Sequence, residues 1–235
     1  SPFVLYEMDN VNLVRIFSDR KINGISTFYK VPENYEKARK MLNRGLSEAI
    51  FANKVLLVEG PSEYMLFSKV LSIVHPFFES DGVYILPVDG VGFSMYFDIL
   101  DKLKIINVIK TDNDLRAVKG KDTYSVIGFS RCNKYIGKEM LPTEQIQYNT
   151  ISAKRDLYNE NKRVLDEIRS NYHIFLSKVD LENDLDEFMH DRLTILLGKA
   201  SPVEYLQDAK HYHMVELIEK LSDIDCRVIY DHYNF

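Results

Sequence analysis

Between Lys54 and Phe129 the sequence alternates short apolar runs with segments of helical spacing, and no other feature restricts the fold as strongly. The runs KVLLVE, VYILPV, INVIKT and TYSVIGF are typical of strands that are buried on both faces. Between the first three, SEYMLFSKVLSIV and FSMYFDILDKL carry apolar residues at three- and four-residue steps. This order predicts an α/β fold with a parallel sheet, in which ligands bind beyond the carboxyl ends of the strands.

The flanking segments extend this α/β block. Alternating residues around Asn23 and Gly24 predict a β-hairpin, and an amphipathic helix is predicted over residues 33–51. After Phe129 the sequence predicts a helical insertion around 141–170, a further strand at HIFLSK, two apolar helices, and a lid or edge segment at CRVIYDHYNF. We therefore expect three parts: a hairpin and linker helix at 1–50, the main domain at 51–221, and a C-terminal edge segment at 222–235.

Composition excludes several functional classes. The chain has 30 Lys and Arg residues against 35 Asp and Glu residues, so binding to nucleic acid by basic residues alone is disfavoured, and any contact is expected to be local or metal-mediated. Two cysteines form neither a disulfide framework nor a zinc-ligand pattern. No apolar stretch approaches the roughly 18 residues that span a bilayer. We expect a cytoplasmic protein with no membrane segment, and a chain that begins at Ser1 is expected to be part of a longer protein.

Acidic residues stand where the first apolar strand ends. Glu59 closes KVLLVE, and Gly60 and Pro61 lead directly into a helix that carries Glu63. A charge at the end of an apolar strand is costly unless it is paired or binds a cation. The alternative interpretation is a solvated acid.

A second acidic pair follows the strand INVIKT. Asp112 and Asp114 lie two positions apart, so both carboxylates point to one side of an extended segment. Like charges held together repel, and hard oxygen ligands of this kind suit Mg²⁺ or Mn²⁺. A D-x-D pattern alone is common in ordinary loops, but here another acid-bearing strand end precedes it by one strand–helix unit.

A third acidic group follows HIFLSK, where Asp180, Glu182 and Asp184 occupy alternate positions. Helix N-termini also favour acids, and for Asp184 and Asp186 capping is the preferred interpretation. Capping alone does not explain three acid-bearing strand ends.

The strings VLLVEGPSEYMLF and IINVIKTDND resemble the Toprim domain, the metal-binding fold of topoisomerases, bacterial primases and a group of nucleases. The resemblance is strongest to the OLD (overcoming lysogenization defect) family of nucleases, in which a Toprim domain follows an ABC-type ATPase domain. Within that family the pattern is closest to the nuclease subunit of the Gabija antiphage system. The resemblance covers about residues 30–221 and implies a Toprim-type parallel sheet flanked by helices, with helical additions on the C-terminal side.

The same resemblance assigns roles to residues. It matches Glu63 to an acid four residues after the first Glu, where Asp is more common, and it matches Asp180 and Glu182 to a later acid pair. A lysine near the C-terminus corresponds to Lys210, which would offset negative charge in the transition state, although a solvated lysine is an equal alternative.

Our hypothesis for the metal centre is two Mg²⁺ or Mn²⁺ ions. One ion would be bound by Glu63, Asp112 and Asp114, and the other by Glu59, Asp180 and Glu182. Glu59 is alternatively the general base. Just after the D-x-D pattern, a basic run is a weaker candidate for holding the DNA backbone, with a solvated loop as the preferred interpretation: Arg116, Lys119 and Lys121.

Together these observations predict a metal-dependent endonuclease that nicks or cuts double-stranded DNA in antiphage defence. The resemblance further implies a missing ATPase domain whose tail would be residues 1–50, a helicase-like partner subunit and a homo-oligomer. Two alternatives remain open. One is a non-catalytic module that docks a partner or the ATPase domain, and the other is a Toprim enzyme of the primase or topoisomerase type.

Overall fold

The computed structural model describes residues 2–31, 33–89 and 92–235, apart from the side chains at positions 2–4, 19, 34, 35, 38 and 210. The strands are β1 Val11–Asp19, β2 Lys21–Tyr29, β3 Lys54–Val58, β4 Val83–Pro87, β5 Ile106–Thr111, β6 Leu115–Ala117, β7 Tyr124–Val126 and β8 Ile174–Leu176. The α-helices are α1 Arg39–Ala49, α2 Pro61–Val74, α3 Phe93–Lys102, α4 Ile127–Ile136, α5 Ile151–Glu160, α6 Lys162–Tyr172, α7 Leu181–Leu197, α8 Pro202–Asp208, α9 Lys210–Lys220 and α10 Asp223–Tyr233. Short 3₁₀ helices cover Pro2–Glu7 and Glu33–Ala38.

Four strands form the central sheet in the order β4-β3-β5-β8. The pairing of β3 with β4 is parallel and runs from Lys54 opposite Val83 to Val58 opposite Pro87. The pairing of β5 with β8 is also parallel. The predicted α/β fold with a parallel sheet is therefore confirmed. In β3, residues 55–58 are all buried, which is why this strand reads as a continuous apolar run.

The chain divides into two compact units, residues 1–60 with 77–107 and residues 61–76 with 108–235. In the first unit, α1 packs against β4 and α3. Arg15 of the hairpin donates hydrogen bonds to the carbonyl oxygens of Ala52 at 3.0 Å and Leu103 at 3.1 Å. In the second unit, α2 packs against α9 and α10.

The fourth strand of the sheet differs from the prediction. Only Tyr124–Val126 of TYSVIGF is extended, and it pairs antiparallel with β6 in a separate two-stranded sheet, while Ile127 begins α4. The place beside β5 belongs to β8, within the predicted strand HIFLSK. Periodicity does not distinguish a short apolar strand from the first turn of a buried helix, and this limit explains the error.

The hairpin is confirmed, but its turn is not where the sequence predicts it. Asp19 pairs with Lys21, so the chain reverses at Arg20, which has φ 57°. Asn23 and Gly24 lie inside β2, opposite Phe17 and Ile16. Register follows the side-chain alternation along both strands, and this overrides the local turn signal.

Helices account for the remaining predictions. The insertion around 141–170 contains α5 and most of α6, as expected from its spacing. The C-terminal segment predicted as a lid or edge is the helix α10, which begins with a capping box between Ser222 and Asp225. Within the described residues, no helix is long and apolar enough to cross a membrane.

Candidate active site

Lys110 occupies the centre of the acidic site in the second unit. Its side chain is 0 % exposed, and its Nζ lies 3.3 Å from Asp112 Oδ1 and 3.8 Å from Asp184 Oδ2. The same ammonium donates a short hydrogen bond to Ser177 Oγ, and the ring of Tyr233 lies 5.9 Å away. The sequence pattern does not single out Lys110, because this residue stands inside an apolar strand. The only signal was a lysine two residues before the D-x-D pattern.

Ser177 connects the ends of two neighbouring strands. It follows β8, and its hydroxyl donates to Asp112 Oδ1 at 3.1 Å while accepting from Lys110. Its backbone N–H donates to the carbonyl oxygen of Thr111 at 2.9 Å. The carboxyl ends of β5 and β8 thus hold Asp112 in place through Lys110 and Ser177.

The electrostatics of the cluster keep Lys110 charged. Burial alone would lower the pKa of its ammonium, but nearby groups that include Asp112, Asp184 and Glu63 raise that pKa well above its usual value. Burial raises the pKa of Asp184 to about 6, although Lys110 and Ser177 act in the opposite direction. The surroundings therefore favour the charged form of Lys110 and disfavour the charged form of Asp184.

The start of α7 supplies the later acids. Asp180 is the N-cap residue, and its Oδ1 accepts hydrogen bonds from Asn183 N at 2.9 Å and Asn183 Nδ2 at 2.8 Å. Gln207 Nε2 donates to Asp180 Oδ2 at 2.8 Å. Glu182 follows in the first turn and is almost fully buried.

Asp184 is not the cap that the sequence predicts. Its Oδ1 accepts a hydrogen bond from the backbone N–H of Lys178 at 3.1 Å, and its Oδ2 faces Lys110. Asp180 performs the capping instead. The sequence pattern identifies an acidic helix start, but it does not show which acid turns inward.

Asp114 lies at the more exposed side of the site. The guanidinium of Arg131, in α4, forms an ion pair with Asp114 and also donates to Thr111 Oγ1. The sequence pattern does not single out Arg131 either, since it predicts the first residues of α4 as a strand.

The remaining predicted residues are distributed as follows. Glu59 belongs to the first unit, in the connection between β3 and α2, whereas Glu63 is buried in the first turn of α2 in the second unit. Lys210 is the first residue of α9, and its side chain lies outside the described part of the chain. The three basic residues after the D-x-D pattern are exposed: Arg116, Lys119 and Lys121.

The donor chemistry of this site fits a divalent metal. Glu63, Asp112, Asp114 and Glu182 offer carboxylate oxygens, which Mg²⁺ and Mn²⁺ prefer. Across residues 2–31, 33–89 and 92–235, however, no three His, Cys, Asp or Glu side chains are grouped so that they could hold a metal ion. The ammonium of Lys110 lies between one of these acids, Asp112, and a further acid, Asp184.

The segment that contains four of these acids matches a model of a known protein family. Residues 50–114 match the family described as overcoming lysogenization defect protein-like, TOPRIM domain. The matched segment contains Glu59, Glu63, Asp112 and Asp114. Residues 50–114 are therefore similar to an OLD-like Toprim domain. The resemblance of the sequence to this family is confirmed.

Two further comparisons concern more of the chain than residues 50–114. The whole chain is 40% identical over 246 residues to Endonuclease GajA of Bacillus cereus (strain VD045), and it spans 43% of the length of that relative. Among solved structures, the C-terminal region of the Burkholderia pseudomallei OLD protein is 15% identical with a TM-score of 0.49, covering 78% of this chain and 97% of that one. The C-terminal region of the Xanthomonas campestris pv. campestris OLD protein is 17% identical with a TM-score of 0.46, covering 79% and 93%.

Proposed function

We propose that this chain is the catalytic Toprim part of a metal-dependent DNA endonuclease, which nicks or cuts double-stranded DNA in antiphage defence. One observation carries the proposal. Four of the proposed metal ligands lie inside the segment that matches the OLD-like Toprim family: Glu59, Glu63, Asp112 and Asp114. Identity of 40% to a protein named Endonuclease GajA, across the whole of this chain, supports the same reaction class.

The acids of the site would hold two divalent ions, Mg²⁺ or Mn²⁺. Glu63, Asp112 and Asp114 are proposed for one ion, and the other would take Glu59, Asp180 and Glu182. Two bound ions would activate the attacking water and stabilise the leaving oxygen of a phosphodiester. They would also supply the attraction for phosphate that a chain with net charge −5 lacks.

Second-unit residues hold the proposed ligands in position. Ser177 fixes Asp112, and Arg131 fixes Asp114. Asn183 and Gln207 together hold both oxygens of Asp180. Such restraint reduces the reorganisation that metal and substrate binding require.

Other parts of the proposal concern the substrate and the larger protein. Lys210 is proposed to stabilise the transition state at the scissile phosphate, and the exposed Arg116, Lys119 and Lys121 to contact the DNA backbone. Because the chain spans 43% of the length of Endonuclease GajA, we further propose that it works with an ATPase domain, a helicase-like partner subunit and further copies of itself.

Plasmid cleavage tests this function. The 235-residue chain, and the same residues within the complete open reading frame, are incubated with supercoiled plasmid and Mg²⁺ or Mn²⁺, and nicked or linear product is measured against an EDTA control. We expect Glu59→Gln and Asp112→Asn to abolish product, and Glu167→Gln, at an exposed acid of α6, to cleave like the wild type. Absence of cleavage by the complete protein with either metal would replace the nuclease by the assembly-module alternative.

A further inference from the structure

We propose that Lys110 is an internal counter-ion of the candidate metal centre. In the metal-free chain its ammonium holds the Asp112 and Asp184 carboxylates together, and a divalent ion that binds Asp112 displaces it. This inference rests on the proposed function, since Asp112 is one of the proposed metal ligands. It assigns Lys110 a positioning role and no contact with substrate.

The burial of Lys110 is the first observation behind the proposal. A lysine that is 0 % exposed has lost its hydration, and such a charge persists in a protein only with close anionic partners. The partners are Asp112 at 3.3 Å and Asp184 at 3.8 Å, and Glu63 adds a longer-range attraction. Asp112 and Asp184 thus share one buried cation.

Contacts around Lys110 show what the ammonium organises. Asp112 comes from the end of β5, Ser177 from the end of β8 and Asp184 from α7, and all three lie within reach of the same Nζ. The hydroxyl of Tyr233, from α10, lies 3.5 Å from Asp184 Oδ2. One ammonium therefore joins the ends of β5 and β8 to the start of α7. Proposed metal ligands follow β5 and lie at the start of α7.

Charge balance gives the functional consequence. With Lys110 in place, the metal-free cluster carries a positive charge where a metal ion would otherwise be needed, so the unit folds without metal. A divalent ion next to Asp112 meets this ammonium as a like charge, and its affinity is lowered accordingly. Without Lys110, Asp112 and Asp184 would lose the cation between them, and their mutual repulsion would favour a bound metal ion.

The test compares the full 235-residue chain with Lys110→Met, which keeps an unbranched, buried side chain and removes the charge. Thermal unfolding is followed in EDTA and in Mn²⁺, and Mn²⁺ affinity is measured from the electron paramagnetic resonance signal of the free ion. We expect Lys110→Met to unfold at a lower temperature in EDTA, to gain more from Mn²⁺ than the wild type, and to bind Mn²⁺ about tenfold more tightly.

Two further variants separate charge from packing. Lys178→Met removes a partly exposed lysine that pairs with Glu187, and its response to Mn²⁺ should equal that of the wild type. Lys110→Met combined with Asp184→Asn removes one buried charge of each sign. This double variant should unfold at a higher temperature in EDTA than Lys110→Met and lose most of the additional gain from Mn²⁺.

Contrary outcomes are distinct. If Lys110→Met is destabilised but gains no more from Mn²⁺ than the wild type, Lys110 acts through packing and the inference is wrong. If Lys110→Met does not fold under either condition, an equally unfolded double variant leads to the same conclusion. If neither the wild type nor Lys110→Met binds Mn²⁺, the inference and the metal-dependent function are both wrong. If the wild type cleaves DNA but responds to Mn²⁺ in the same way as Lys110→Met, only the inference is wrong.

Discussion

Arg131 Nη1 lies 2.9 Å from Asp114 Oδ2, so a cation from α4 restrains the second acid of the D-x-D pattern. The same nitrogen lies 3.1 Å from Thr111 Oγ1, at the end of β5. Asp114 itself is the more exposed of the two acids, with 40% of its side chain accessible against 14% for Asp112. The direction of the exposed carboxylate therefore depends on a side chain from outside the strand.

Replacing Arg131 should affect catalysis more than stability. We expect Arg131→Ala to lower the rate of metal-dependent plasmid nicking by about tenfold or more, because Asp114 loses its fixed orientation. The free energy of unfolding should change by less than about 1 kcal/mol, since the ion pair is partly exposed. Rates and urea unfolding are compared with Arg163→Ala, at an exposed arginine of α6. Equal nicking by both variants would contradict a role for Arg131 in positioning Asp114.

Asp180 combines a structural role with a proposed catalytic one, and substitution can separate them. Asp180→Asn keeps an oxygen that can accept from Asn183, so stability should remain within about 0.5 kcal/mol. Because the negative charge is lost, plasmid nicking should fall strongly. Asp180→Ala removes the accepting oxygen as well as the charge, so it should also lower the free energy of unfolding by about 1 kcal/mol. Wild-type nicking by Asp180→Asn would show that Asp180 only caps α7.

Some elements could be predicted from the sequence because local pattern and tertiary role agree. The run KVLLVE is predicted as a buried strand, and the turn through Gly60 and Pro61 is predicted as the start of a helix. The structure has β3 and the start of α2 at these places. Lys110 could not be found in this way. A lysine between Ile109 and Thr111 shows no sign that its charge meets Asp184, which is far along the chain and comes close only when β8 pairs with β5.

The same limit applies to β7 and α4. Tyr124–Val126 contains an aromatic and a β-branched residue, as is typical of a strand. It does not pair with β5, because β8 pairs with that edge. Where two segments compete for one sheet edge, periodicity does not decide between them. The prediction of Asp184 as a cap failed for a related reason, since helix-end preference does not indicate which acid faces a buried cation.

Gly128 allows α4 to approach the D-x-D segment. A Cβ at this position would lie 2.8 Å from the carbonyl oxygen of Asp112 and 2.9 Å from Asn113 Cα, both backbone atoms. We expect Gly128→Ala to lower the free energy of unfolding by about 1–3 kcal/mol and to reduce nicking, because the loop carrying Asp112 must shift. Gly24→Ala is the matched control, since a Cβ there meets nothing within 4 Å. Similar stability losses in urea unfolding for both variants would contradict the close approach.

Asp225 should make the second unit sensitive to acid. Its carboxylate accepts hydrogen bonds from Arg192 Nε at 2.8 Å and Nη2 at 2.9 Å, and from Ser222 N at 2.9 Å. Chiefly through Arg192, these bonds lower the pKa of Asp225 from its usual 3.8 to about 2. A carboxyl whose pKa is lower in the folded state binds fewer protons there than in the unfolded chain. Its stabilisation is therefore fully present above about pH 5 and is lost as the pH falls from 5 towards 2.

Urea unfolding at pH 7, 5, 4 and 3 measures this contribution in the wild type and in Asp225→Asn. At pH 7 the variant should be about 1–2 kcal/mol less stable, a range reduced because Arg192 remains partly exposed to solvent. The difference in unfolding free energy should be unchanged at pH 5 and should narrow at pH 4 and 3. At the lower pH values wild-type Asp225 loses the stabilisation from its charge, which Asp225→Asn never has. Asp223→Asn, at an exposed acid of the same helix, should show no such pH dependence. A constant difference from pH 7 to pH 3 would mean that shape and hydrogen bonding, and not the charge of Asp225, stabilise the start of α10.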